Sequence, residues 1–115
     1  TAVLEEIGTP YTYGGSKPGK GLDCSGLTQY AHKKAGLQIP RVSRVQQAKA
    51  KTVKLSRVKP GDLVFFRIKG DDHVGMVVDR RRFVHASSGA DQVQLATFTD
   101  AFWRKHMTGV GTYFR

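Results

Sequence analysis

The sequence predicts one α+β domain over residues 1–115, with N-terminal helices packed on a central antiparallel sheet of about five strands. Three observations carry that reading. Before residue 50, apolar side chains recur at helical spacing; after Pro60 they gather into short runs of strand length. Short turns separate those later runs, and short turns are how antiparallel neighbours are joined. A hydrophobic content of 39% is enough for one ordinary core and argues against disorder.

The elements follow in order. Residues 2–7 read as a short helix stopped by Gly8. Thr9 to Gly21 holds Pro10, Gly14, Gly15, Pro18 and Gly19, the composition of a surface loop. Asp23 or a neighbour is placed to cap a helix from Cys24 to Ala35, whose Leu27, Tyr30, Ala31 and Ala35 share a face and whose stop is Gly36. Ser43 is the candidate N-cap of a further helix containing Val45 to Ala50. Pro60-Gly61 is a turn, and strands are expected over 62–67, 73–78, 82–86, 92–96 and 110–114, with a short helix over 98–106.

The net charge of +10 favours polyanionic partners such as nucleic acid, anionic lipid or acidic wall polymer, and does not choose among them. No nucleic-acid recognition motif accompanies the charge, so no nucleic-acid partner is expected. The stretch from Lys49 to Lys59 reads as a solvated basic rim. No run approaches the roughly 20 apolar residues that span a bilayer. The chain begins Thr1-Ala2-Val3 without Met and so reads as a processed piece; an export signal, and any membrane anchor, would lie upstream.

Cys24 is the single cysteine and stands at a predicted helix start. Unpaired first-turn amides and the positive end of the helix dipole both favour a thiolate there, which predicts a lowered thiol pKa. His73 and His85 lie on consecutive predicted strands. A hairpin centred on Asp79 puts them directly opposite each other and sets Gly75 opposite Phe83; a slip by one residue would send them to opposite faces. Cys24 is then the nucleophile and the two imidazoles are base and orienting group, taken as His73 and His85 in an order that the sequence alone does not fix. A zinc site on the same three residues is disfavoured because no short ligand pair is present, so neither metal nor cofactor is expected. His32 and His106 read as structural residues, and Trp103 as a packing aromatic.

An ordered set of segments resembles the NlpC family of bacterial cell-wall cysteine endopeptidases, a papain-like group. The segments are Pro10-Tyr11-Thr12-Tyr13-Gly14-Gly15, Leu22-Asp23-Cys24-Ser25-Gly26-Leu27, Ile39-Pro40-Arg41-Val42-Ser43, Pro60-Gly61-Asp62-Leu63-Val64-Phe65-Phe66, His73-Val74-Gly75-Met76-Val77 and Phe83-Val84-His85-Ala86-Ser87-Ser88. The resemblance implies a papain-like fold, export to the periplasm, outer membrane or exterior, and a monomer. It implies hydrolysis of peptidoglycan stem peptides, at the D-glutamyl–diamino acid bond or at the cross-link. By the same resemblance Cys24 is the nucleophile, His73 the base and His85 the third polar residue. Tyr13 then lines the site and helps bind the oxyanion, while Asp23, Ser25 and Arg41 help hold the substrate's charged ends. The basic turn Asp79-Arg80-Arg81-Arg82 and the acidic Gly70-Asp71-Asp72 depart from the family pattern and bear on substrate choice. Two rival readings are a non-catalytic basic module for an anionic wall polymer and a thiol acyltransferase on the same scaffold.

Overall fold

The computed structural model describes residues 7–12, 14–17, 19, 21–87 and 92–114. Residues 2–6 of the expected first helix and Tyr13 lie outside the described residues, and Ile7 and Gly8 form a turn. A two-stranded ribbon, β1 (Ser16–Lys17) and β2 (Gly21–Leu22), leads into helix α1 (Cys24–Lys34). The Asp23 carboxylate caps α1 by accepting the Gly26 amide at 2.7 Å. His32, Lys33 and Lys34 in the last turn complement the negative end of the dipole. Gly36, at φ +86°, takes the left-handed turn that ends the helical run.

Helix α2 (Ser43–Lys49) begins on Ser43 rather than after it. Val42, in an extended conformation, holds the N-cap position without a side-chain bond, and Ser43 is a buried first-turn residue, so the expected serine cap is corrected.

Next come β3 (Lys51–Thr52), a 3-10 turn (Leu55–Arg57), β4 (Leu63–Ile68), β5 (Asp71–Val77), β6 (Arg82–Ser87), β7 (Gln92–Thr97), α3 (Ala101–His106) and β8 (Met107–Thr112). The sheet is antiparallel with order β3-β8-β4-β5-β6-β7, six strands rather than five. The additional strand, β3, lies inside the stretch read as rim. It is two exposed residues long and carries no apolar alternation; only its pairing with β8 makes it a strand. Helix α3 starts later than expected because Asp100 caps it, accepting the Phe102 amide at 2.9 Å.

Both faces of the sheet are covered. Leu63, Phe65, Val74, Met76 and Val84 pack with Leu22, Leu27 and Ala31 on the α1 side. Val64, Phe66, Val77, Phe83 and Val110 pack with Phe98 and Trp103 on the other. The unbroken apolar run Leu63 to Phe66 is the signature of a strand buried on both sides. Each fully buried Val, Leu or Phe there contributes about 1.5–3 kcal/mol.

The β5–β6 hairpin differs from expectation in register. Met76 faces Val84 and Val77 faces Phe83, which centres the turn on Arg80 instead of Asp79. The Asp79 carboxylate is the cause: it accepts the Arg81 and Arg82 amides at 2.8 and 2.9 Å and pairs with the Arg82 guanidinium. The shift of two residues keeps His73 and His85 on one face but makes them diagonal neighbours. Continued, this register puts Gly75, not His73, opposite His85. A Cβ on Gly75 would stand 2.7 Å from the Phe83 ring, so the close packing under that ring admits only glycine.

Candidate active site

Cys24 is the first residue of α1, a half-buried free thiol. Backbone amides of Val74, Ser25 and Cys24 are directed at the sulfur. Burial nevertheless dominates, and with the Asp23 charge it raises the thiol pKa above its ordinary value near 9. The expected low-pKa thiolate is thereby corrected: desolvation outweighs the three amides.

His73 Nε2 and His85 Nδ1 are 2.9 Å apart, with ring planes 89° to each other. The pairing expected from the sequence is therefore present, reached diagonally. His85 is buried and His73 half-buried. Burial pulls His73 down to about 4; burial, and then the neighbouring His73 charge, pull His85 down to about 3. At neutral pH thiol and both rings are uncharged. His85 Nε2 is buried and has no hydrogen-bond partner among the described residues.

Val74 belongs to the α1-side core, so His73, its neighbour in an alternating strand, faces the opposite side with Phe66 and Trp103. The sulfur meets the strand at Val74, the residue after His73, with no hydrogen bond to either imidazole among the described residues.

Asp23, Ser25 and Arg41, grouped by the sequence, meet in space. The Arg41 guanidinium donates to Ser25 Oγ at 2.8 Å, to Asp23 Oδ2 at 3.1 Å and to the Gly15 carbonyl at 3.2 Å. Asp23 Oδ2 also accepts the Gly14 amide at 3.1 Å. The same carboxylate thus caps α1, shapes the glycine loop and binds Arg41. Gln46, buried under this cluster, donates to the carbonyls of Ser25 and Pro40.

His32 is buried, its Nδ1 donating to the Thr28 carbonyl and its ring stacked on Phe114. His106 is tied to the Phe102 carbonyl, so both keep the structural reading. Among the described residues, no three His, Cys, Asp or Glu side chains are placed to hold a metal. No helix of the described residues is long and apolar enough to cross a membrane. A cavity lined by Arg57, Lys59, Asp79 and Arg80 lies at the turn end of β5, away from His73. The residue that sequence reasoning undervalued is Trp103, which touches both imidazoles.

The NlpC/P60 family profile matches residues 8–112. The chain belongs to the NlpC/P60 family. This NlpC/P60 domain is 36% identical over 113 residues to murein DD-endopeptidase MepH of Escherichia coli (strain K12), covering 93% of this chain and 42% of that protein. It is 38% identical over 108 residues to gamma-DL-glutamyl hydrolase of Bacillus subtilis (strain 168), covering 90% of this chain and 26% of that protein. It therefore spans less than half the length of either relative. A solved Staphylococcus aureus structure, described as similar to a lipoprotein of the NLP/P60 family, superposes with a TM-score of 0.88 at 30% identity. That match covers 99% of this chain and 39% of the other. The α+β papain-like fold of the NlpC/P60 domain is the one expected from its sequence.

Proposed function

We propose that this domain is a cysteine endopeptidase acting on peptidoglycan stem peptides, with Cys24 as nucleophile, His73 as base and His85 as the orienting group. The observation that carries the reading is the 2.9 Å bond between His73 and His85 beside the strand residue on which the Cys24 sulfur rests. For His73 Nδ1 to take a proton, the ring must carry its own on Nε2 and donate it to His85 Nδ1. His85 is then protonated on Nε2, as a neutral ring that accepts through Nδ1 must be.

The steps balance on these groups. As sulfur bonds to the carbonyl carbon, the Cys24 proton passes to His73 Nδ1. The first-turn amides at Cys24 and Ser25 are the oxyanion donors, and Tyr13 is the further donor implied by the resemblance. Collapse breaks the C–N bond, and the leaving amine takes the proton from His73. Water, deprotonated by His73, then attacks the thioester, releasing the carboxylate and restoring the thiol. Proton transfer requires sulfur and His73 to close to hydrogen-bond reach, a contact of the kind that tightens when substrate binds. Asp23, Ser25 and Arg41 hold the substrate's charged ends in this reading.

The relatives' names support two candidate bonds, that of a murein DD-endopeptidase and that of a gamma-DL-glutamyl hydrolase. They also support action outside the cytoplasm, on a peptidoglycan peptide as partner. Digestion of defined muropeptides, read by mass spectrometry, assigns the bond. Cys24→Ala should keep the fold and release no fragments, whereas full activity in that variant would refute the mechanism. His73→Ala should behave alike, and His85→Ala should retain a residue of activity.

A further inference from the structure

We infer that Trp103 is a positioning residue for the imidazole pair, its indole setting the plane of the His73 ring and keeping water off the His73–His85 hydrogen bond. The inference rests on the proposed roles of these two histidines. Trp103 lies nearly parallel to His73, with centroids 5.9 Å apart and planes at 22°. It meets His85 at 4.7 Å and 73°. One side chain therefore touches both partners of the bond, one along its plane and the other across it.

The indole is itself held by three rings: Phe66 at 5.0 Å, Phe83 at 5.3 Å and Phe102 at 5.0 Å. Phe66 and Phe83 also touch His73 and His85 respectively, so the aromatic cluster is continuous with the imidazoles. A tryptophan that served only to fill the core would need neither imidazole. His85 Nε2, buried and without a partner among the described residues, marks this side of the pair as dry. In a dry setting the N–H···N bond is stronger than in water, and it is this bond that fixes the proton on His73 Nε2.

Without the indole, His73 gains rotational freedom and water reaches the bond. A misplacement of the base on the ångström scale costs about 10²-fold in rate. That loss falls on turnover, because Trp103 is argued to act through His73 rather than on the substrate.

The test combines nitrogen-15 NMR of the imidazoles with steady-state kinetics on muropeptide. Wild type should show a slowly exchanging His73 Nε2–H resonance and the matching tautomer shifts. Trp103→Ala should lose that resonance and drop kcat by roughly 10–100-fold with little change in KM. Trp103→Phe, which can still stack, should restore both, and Trp103→Leu, of apolar bulk but no ring, should not. If Trp103→Ala fails to fold, the Phe and Leu pair gives the same contrast. A wild-type resonance in Trp103→Ala or Trp103→Leu would overturn the inference. Loss of the resonance in a protein that cleaves no muropeptide would support the positioning role while refuting the proposed peptidase.

Discussion

Acidification should destabilise this domain through its two paired histidines. In the folded chain His73 stays neutral down to about 4 and His85 down to about 3, against an ordinary value near 6.5. As pH falls below 6.5, the unfolded chain takes up both protons first, so its free energy drops and folding weakens. Stability from the pair is complete above 6.5 and is lost as pH falls towards about 4 and then about 3. Each unit of difference is worth about 1.36 kcal/mol, so by about pH 4 either ring alone removes roughly 3 kcal/mol. The His73 charge is one cause of the His85 shift, so the two do not add in full, and roughly 4–5 kcal/mol is expected for the pair. A small domain holds about 5–15 kcal/mol in all, which brings this one near its unfolding midpoint. Urea unfolding at pH 7 and at about pH 4 measures the loss: the midpoint should fall by about 2 M. The double variant His73→Leu/His85→Phe should lose far less over the same interval. His32, also buried and lowered, remains in both proteins and cancels. Parallel losses in wild type and double variant would refute the reasoning.

Two further outcomes are expected. Alkylation of Cys24 by iodoacetamide should accelerate about tenfold per pH unit through neutrality, because burial holds the thiol above its ordinary range. A plateau below pH 7 would reveal a resting thiolate and contradict the neutral site. Arg41→Lys keeps the charge but cannot reach Ser25, Asp23 and Gly15 together, so thermal melting should show a loss of about 1–2 kcal/mol, about 5 °C in Tm. An unchanged melt would remove Arg41 from the structural role.

The order of helices and strands was legible because its signals are local. Asp23 caps α1, Gly36 ends it, and Leu63 to Phe66 form an apolar run that no helix face requires. The cluster of Asp23, Ser25 and Arg41, and the meeting of the two histidines, were legible from motif and strand parity. Strand β3 was not, since Lys51 and Thr52 are exposed and only a distant partner defines them. The hairpin register escaped by two residues because the Asp79 carboxylate recruits two amides, a choice among turns that spacing does not decide. The thiol's pKa moved opposite to expectation because depth of burial is a tertiary property. Trp103 read as packing for the same reason: helix α3 reaches the imidazoles only when the chain has folded.

Arg41 gathers chain segments that are far apart in sequence. Its guanidinium grips the carbonyl of Gly15, the carboxylate of Asp23 and the hydroxyl of Ser25, the last two flanking Cys24. Loop shape, helix start and sulfur position are thereby mechanically coupled through one cation. Grafting a different glycine loop onto this scaffold would also tug on the thiol unless the clasp were rebuilt with it.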